Sequence, residues 1–213
     1  IATETSGIAL TIGHTTSETT VADNLTVTGD FAANNFKFAG TNFTSSLLVG
    51  HSTTGTLNAA TSNVGVGSGA LDAITSGDFN TAVGVDALSA LQDGVRNIGI
   101  GYYAGNTITS GQHNVAIGHA ALASVTSGIR NLAIGYQAGN KTTGNYNTQI
   151  GYQAGYETLG GTHNINLGWT AGNNITTGSG NVVLGVADVS SATGDDQLSI
   201  SDGEDGSVVW MTG

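Results

Sequence analysis

The sequence predicts an all-β solenoid of about eight coils of 17 residues, and three observations point to this fold class. Eight segments open with Asn, an apolar residue or Thr, a residue that is small or polar in all but the last segment, an apolar residue and Gly, as in NVAIG at 114–118. Their starts are separated by 17, 17, 17, 17, 16, 17 and 17 residues. The 213-residue chain contains 34 Gly and no Pro. So strict a period indicates one structural coil per unit, stacked on its neighbours.

Each unit is numbered from its Asn as position 0. Positions 1 and 3 are apolar in almost every unit, while position 2 is small or polar. This alternation indicates a short β-strand, and the frequent glycines disfavour a helix. We expect positions 1, 3, 8 and 11 to form the core. Because a coil so poor in large side chains can shield little surface alone, we expect that core to be shared between chains.

Glycine at position 4 is present in all eight units and is expected to form a sharp corner where backbones pack closely. Position 7 is Ala in the first seven units, and another Gly recurs near position 14. One unit is a residue short within Asn140–Gly144, which predicts a loop there. The corner glycines are Gly67, Gly84, Gly101, Gly118, Gly135, Gly151, Gly168 and Gly185.

The repeat divides the chain into three predicted segments. Residues 46–185 form the solenoid, and its first coil, at Ser46–Gly50, is degenerate. Residues 186–213 form a β segment with strands QLSIS and SVVWM around an acidic turn, Asp202–Gly206, and are expected to lead to a further module. Residues 1–45 form an amino-terminal β-strand shaft or collar segment, with strands at 8–13, 24–31 and 34–40.

Charge and composition exclude several classes of function. The net charge is −11 with only four Lys and Arg, so a nucleic-acid partner is not expected. The sequence contains no apolar run of 18 residues, so membrane insertion is not expected. The absence of Cys from the sequence rules out disulfides and thiolate metal sites.

No catalytic or cofactor site is predicted. The segment with Gly135, Asn140, Lys141 and Thr142 differs from a phosphate-binding loop because Asn140 stands where that motif has its second Gly. The strand-then-helix context that the motif requires is also missing. No coil contains paired carboxylates, so we expect no enzyme activity and no cofactor. No metal site is expected either, because the five His show no ligand-like spacing and the acidic turn lacks a calcium-binding motif. These residues are His14, His51, His113, His119 and His163, and Asp202, Glu204 and Asp205.

Three columns of side chains recur at fixed positions. Position 16 reads as a varied outer loop. A threonine column near the second corner indicates hydroxyl stacking in a turn, with ice binding as the alternative. Position 5 carries aromatic rings that either form an exposed glycan- or receptor-binding stripe or pack coil on coil. The position-5 residues are Tyr102, His119, Tyr136, Tyr152 and Trp169; the position-16 residues are Phe79, Arg96, His113, Arg130, Tyr146 and His163; the threonines are Thr75, Thr109, Thr126, Thr143 and Thr176.

The units NVAIGHAAL, NLAIGYQAG and NTAVGVDAL resemble the Asn-x-Ala-Ile-Gly repeats in the head domains of trimeric autotransporter adhesins. They also resemble a bacteriophage tail-fibre repeat, AIGYQAG followed by TTG. The resemblance covers about 63–185 and implies a left-handed parallel β-roll whose three chains associate, intertwined or side by side, into a rod. The 17-residue unit is longer than in the best-known adhesin heads. NLTVTGDF resembles phage fibre shafts, and the carboxyl-terminal stretch resembles segments that precede a self-cleaving chaperone domain.

The resemblance implies the structural shaft of a trimeric viral tail fibre that supports host recognition and attachment. The expected location is the virion tail. The expected partners are further copies of the chain, other tail or fibre proteins, and a host-surface glycan or protein. One alternative is a bacterial trimeric adhesin at the cell surface that binds matrix or host glycans. A third is a polysaccharide depolymerase fibre.

Overall fold

The computed structural model describes residues 43–44, 47–49, 59–201 and 209–212, which contain strands and turns but no helix. The strands predicted at 8–13, 24–31 and 34–40 and the acidic turn Asp202–Gly206 lie outside the described residues. The strands are β1 (Phe43–Thr44), β2 (Leu47–Val49), β3 (Ala60–Thr61), β4 (Val64–Val66), β5 (Thr81–Val83), β6 (Ile98–Ile100), β7 (Val115–Ile117), β8 (Leu132–Ile134), β9 (Thr148–Ile150), β10 (Ile165–Leu167), β11 (Val182–Leu184), β12 (Leu198–Ser201) and β13 (Val209–Thr212).

One sheet contains eleven of these strands, in the order β2, β4 to β12 in sequence, and β13. In this sheet β2 and β4 to β12 are parallel, each paired with the equivalent strand of the next coil, and β13 is antiparallel to β12. Leu47 lies opposite Val64, so β2 pairs with the first full unit at the 17-residue spacing. A separate two-stranded sheet pairs β1 with β3. The predicted parallel solenoid of about eight 17-residue coils is confirmed.

The sequence placed positions 1, 3, 8 and 11 in one core, but positions 1 and 3 point away from the coil interior that holds positions 8 and 11. In β6 the central residue, Gly99, is buried, whereas Ile98 and Ile100 are 37% and 39% exposed. The other strands from β4 to β11 share this pattern. The cause is the narrow interior: a Cβ added at Gly99 would lie 2.7 Å from Cγ of Leu88. Only small or slender residues therefore fit inward at position 2 in most coils, and the bulky residues at positions 1 and 3 point outward.

The core lies within each coil and is built from positions 2, 7, 8 and 11. In one coil Ala87, Leu88 and Leu91 are fully buried, and the next coil adds Ala104 and Ile108. Positions 8 and 11 are thus buried without a second chain, so the expectation that each coil depends on other chains to shield its interior is wrong. The apolar cluster is continuous from Ala60 to Ala138.

The position-4 glycines form the predicted corners. Gly84 and Gly101 have φ of +132° and +127°, a region that L side chains rarely adopt. A Cβ at Gly84 would lie 2.6 Å from the carbonyl oxygen of Gly101 in the next coil. The corner therefore requires Gly for its backbone conformation and for the close stacking of coils.

A ladder of buried asparagines at position 0 runs through the coil stack. Nδ2 of Asn97 crosses the interior to donate to the Gly111 carbonyl at 2.8 Å. Its Oδ1 accepts bonds from the backbone N and from Nδ2 of Asn114, at 3.0 and 3.1 Å. Every side-chain hydrogen-bonding group is thus satisfied, as burial of an amide requires. The ladder contains Asn63, Asn80, Asn97, Asn114, Asn131, Asn147, Asn164 and Asn181.

The ladder absorbs the short unit and extends past residue 185. Nδ2 of Asn131 bonds to Gly144, 13 residues ahead rather than the 14 found in neighbouring units, so the missing residue falls within the predicted loop Asn140–Gly144. At the carboxyl end, Gln197 takes the place of Asn and donates from its backbone N and from Nε2 to Oδ1 of Asn181. The coil geometry therefore continues to β12.

The later coils have a partly polar interior. Thr142, Gln149, Thr158 and Asn166 are fully buried at positions 11 and 2. Gln149 exchanges hydrogen bonds with Thr142, but the Asn166 amide and the Thr158 hydroxyl have no hydrogen-bond partner. Position 8 in these coils is Gly instead of Leu, and the longer amide side chains occupy the space that Leu fills elsewhere. The continuous apolar cluster ends at Ala138 and does not extend into the coils of Gln149 and Asn166.

Candidate functional site

The aromatic column consists of the predicted position-5 residues and follows the corner glycines. Adjacent ring centroids from Tyr102 through His119, Tyr136 and Tyr152 to Trp169 are 5.3, 5.0, 5.2 and 6.0 Å apart. Interplanar angles are between 7° and 19°, so the rings are stacked. The three Tyr and Trp169 are exposed, and His119 is half-buried.

This stacking limits what the aromatic column can bind. A sugar ring packs on the face of an aromatic ring, but each inner ring has neighbouring rings on both faces. Solvent reaches mainly the ring edges and the tyrosine hydroxyls. At the start of the column, the neighbouring Tyr103 side chain is the largest of the influences that raise the pKa of Tyr102. The geometry therefore supports packing of coil on coil as the role of these rings.

The apolar face is the second candidate surface, and sequence reasoning placed its residues in the core. It consists of the outward residues at positions 1 and 3 of β4 to β11, and none of them is charged. In chain order, position 16 precedes each strand and position 5 follows it, so these columns border the apolar face. Its members are Val64, Val66, Thr81, Val83, Ile98, Ile100, Val115, Ile117, Leu132, Ile134, Thr148, Ile150, Ile165, Leu167, Val182 and Leu184.

The position-16 column is the third surface. Its six members are exposed and aligned, from Phe79 in one coil to His163 five coils later. The Arg96 guanidinium lies 5.3 Å from the Phe79 ring centroid, and that of Arg130 lies 5.6 Å from the Tyr146 ring. Nη1 of Arg130 also donates to the Tyr146 hydroxyl at 3.0 Å, and the Tyr146 and His163 rings stack at 4.7 Å. The sequence predicted the column but not these contacts between its side chains.

The near-match to a phosphate-binding loop has a different role in the structure. Nζ of Lys141 lies 2.7 Å from Oε1 of Glu157 in the next coil and 5.0 Å from the Tyr156 ring centroid. The hydrogen bond to Glu157 raises the pKa of Lys141. Thr142 is buried and interacts with Gln149. Lys141 and Thr142 thus join adjacent coils instead of lining a phosphate cradle.

Four of the five threonines in the threonine column hydrogen-bond to the backbone of the next coil. The hydroxyls of Thr75 and Thr109 donate to the carbonyls of Gln92 and Thr126, at 3.0 and 3.2 Å. Thr143 and Thr176 do the same. This pattern supports a role in turn stacking.

His113, His119 and His163 lie within the described residues, whereas His14, His51 and the acidic group Asp202, Glu204 and Asp205 lie outside them. The described part of the chain contains no cluster of three or more His, Cys, Asp or Glu that could hold a metal ion. Nor does it contain a helix long and apolar enough to cross a membrane.

Comparisons with known proteins found no matching family model, no matching curated protein and no matching solved structure.

Proposed function

We propose that this chain is a structural shaft segment of a homotrimeric fibre, a viral tail fibre that supports host recognition and attachment. In this proposal the coils form a left-handed roll, and three chains turn their apolar faces toward a common axis. The observation that carries the proposal is the apolar face itself.

The extent of the apolar face supports association with further copies of the chain. Eight coils give seven spacings of about 4.8 Å, so the face is about 34 Å long. Its sixteen side chains are apolar or Thr. Exposed apolar surfaces of this extent mark interaction sites in soluble proteins. In a cyclic trimer of parallel chains, equivalent coils lie at the same height, so each coil meets the same residues in its neighbours.

The hydrogen bonding of the coils supports a role as a stiff spacer. Parallel strands connect every coil to the next, the asparagine ladder runs through the interior, and turn residues such as Thr75 add bonds between coils. Bending the rod would break several of these bonds at once. Such a segment can hold a recognition module away from the particle without a cofactor or a catalytic group.

Light scattering on the purified chain tests the proposal. We expect three times the chain mass of 21.2 kDa. Ile100→Asp together with Ile134→Asp places charges on the apolar face and should yield monomers that keep β-type circular dichroism. Ser110→Asp, at an exposed position away from that face, should remain trimeric. A folded monomer in the parent protein would contradict the trimer.

Immunogold labelling separates the viral proposal from the bacterial alternative. Antibodies against the chain should decorate virion tails in a producing culture. Labelling of bacterial surfaces in place of tails would favour the adhesin.

A further inference from the structure

We infer that the position-16 column binds an acidic polysaccharide lying along the solenoid, with the guanidinium groups of Arg96 and Arg130 pairing with its carboxylates. This inference does not depend on the trimer. Four observations support it: the distribution of charge along the chain, the contacts of the arginine and lysine side chains, the backbone conformation at position 16 and the length of the column.

Charge is segregated along the chain. Residues 94–187 contain three cations, Arg96, Arg130 and Lys141, and one carboxylate, Glu157, so they have a formal charge of +2 while the whole chain has −11. The remaining fourteen carboxylates lie before or after this stretch. Arg96 lies at the edge of this stretch, since its own unit also contains Asp86 and Asp93, so the positive charge is centred on Arg130 and Lys141. A polyanion is therefore attracted to the coils of residues 97–180 more than to the flanking parts of the chain.

The two arginines differ from the lysine in what they contact. Within residues 59–201, Lys141 forms an ion pair with Glu157, whereas neither arginine has a carboxylate within ion-pair distance. Arg96 and Arg130 instead contact the rings of Phe79 and Tyr146. A guanidinium held on a ring retains N–H groups that can bind both oxygens of a carboxylate. The side chains are thus held in place while their charge remains available.

The backbone at position 16 is one that bulky side chains disfavour. All six residues have φ between 55° and 59°, a left-handed conformation that is unfavourable for bulky residues. The same position is Gly180 in a later coil and Asp196 in the last, so the coil closes there without a large side chain. At position 8, where Leu88 and Leu122 are also left-handed, burial in the core compensates for the conformation. Position 16 is exposed and gains no core burial, and its side chains contact one another only from coil to coil.

The dimensions and charge favour a polysaccharide over a nucleic acid. Arg96 and Arg130 are two coils apart, about 10 Å, and the column from Arg96 to His163 spans about 19 Å at the usual strand spacing. Duplex DNA, with one charge per about 1.7 Å, needs many more cations than two arginines provide. A chain of uronic acids has fewer charges per unit length and presents planar carboxylates, which suit the guanidinium fork.

Titration calorimetry with polygalacturonate tests the inference, using the full chain in its natural assembly. Methyl-esterified polygalacturonate, which keeps the sugar backbone but not the charge, is the matched ligand. We expect Arg130→Gln to weaken binding of the acidic polymer at least tenfold. The double variant, Arg96→Gln together with Arg130→Gln, should abolish binding. Lys141→Gln removes the same single charge and should bind as the parent does. Binding should weaken as salt is raised.

Stability measurements distinguish a binding role from a structural one. Arg96→Gly/Arg130→Gly should lose binding while the melting temperature stays the same or rises, since glycine relieves the left-handed conformation. A fall of several degrees would show that the arginines stabilise the coil and would count against the inference.

Three further results would overturn it: equal loss in Arg130→Gln and Lys141→Gln, equal binding of the methyl ester, or tighter binding of duplex DNA. Light scattering on the same samples keeps the two proposals separate. A monomer that binds polygalacturonate would contradict only the trimer, and a trimer that does not bind it would contradict only the column.

Discussion

Asn97 and Asn114 are joined by two hydrogen bonds: Oδ1 of Asn97 accepts from the backbone N of Asn114 at 3.0 Å and from its Nδ2 at 3.1 Å. The same Nδ2 donates to the Gly128 carbonyl at 2.7 Å. One side chain thus connects two neighbouring coils and the two sides of its own coil. Because these groups are buried, water cannot replace a lost partner.

Asn114→Ala should destabilise the solenoid by about 3 kcal/mol or more, because it leaves the backbone N of Asn131 and the carbonyl of Gly128 buried without this partner. Asn106→Ala is the control, since Asn106 is half-buried and outside the ladder. Chemical denaturation of both variants gives the comparison. A loss at Asn114 no greater than that at Asn106 would refute a stabilising role for the ladder.

Gly101→Ala should destabilise by about 3 kcal/mol or more, since it combines an unfavourable φ of +127° with a Cβ 2.8 Å from the Gly118 carbonyl carbon. Gly160→Ala makes the same chemical change where nothing lies within 4 Å of the added Cβ. It should alter stability by no more than about 0.5 kcal/mol. Thermal melts of the two proteins test the corner directly, and equal melting temperatures would contradict it.

Asn166→Val should stabilise the chain by about 1 kcal/mol, because neither polar atom of the buried Asn166 amide has a partner. Val183 already occupies the equivalent position in the next coil. Gln149→Val is the comparison and should be destabilising, since it removes the bonds between Gln149 and Thr142. Chemical denaturation tests both variants, with midpoints compared where the denaturant slopes are equal. A midpoint for Asn166→Val below that of the parent protein would mean that the amide has a partner in solution.

A double-mutant cycle on Tyr136 and Tyr152 should give a coupling free energy of about 0.5–1.5 kcal/mol, as expected for stacked rings. Their centroids are 5.2 Å apart. The cycle on Tyr102 and Tyr152, which are three coils apart, should give a coupling near zero. If the coupling free energy were zero in both cycles and the tyrosine variants lost binding to neutral glycans, the aromatic column would be a recognition site and not a packing element.

Much of the fold follows from the amino-acid sequence, because a solenoid repeats one local solution. The 17-residue period sets which residues stack, so the strands, the corner at Gly101 and the alignment of Tyr136 with Tyr152 can all be read from the spacing. Even the short unit is located correctly, because one missing residue must fall where the chain is a loop.

Which way the strand side chains face depended on the tertiary structure. An alternating strand has two faces, and the sequence favoured the side of Ile98 and Ile100 as the interior because these residues are the more apolar. In the structure, Leu88 fills the narrow interior, so Gly99 faces inward and the isoleucines face outward. Interior width is a property of the packed coil, and no local pattern encodes it.

The tertiary structure also decided which side chains are available to a partner. Spacing alone aligned both the aromatic and the position-16 columns. Only the tertiary structure showed that the faces of the Tyr136 ring are covered by its neighbours, that Lys141 pairs with Glu157, and that Arg96 and Arg130 do not pair with a carboxylate. Period determines which residues are neighbours, whereas ring orientation, ion pairing and the left-handed backbone at position 16 arise from how the coils pack.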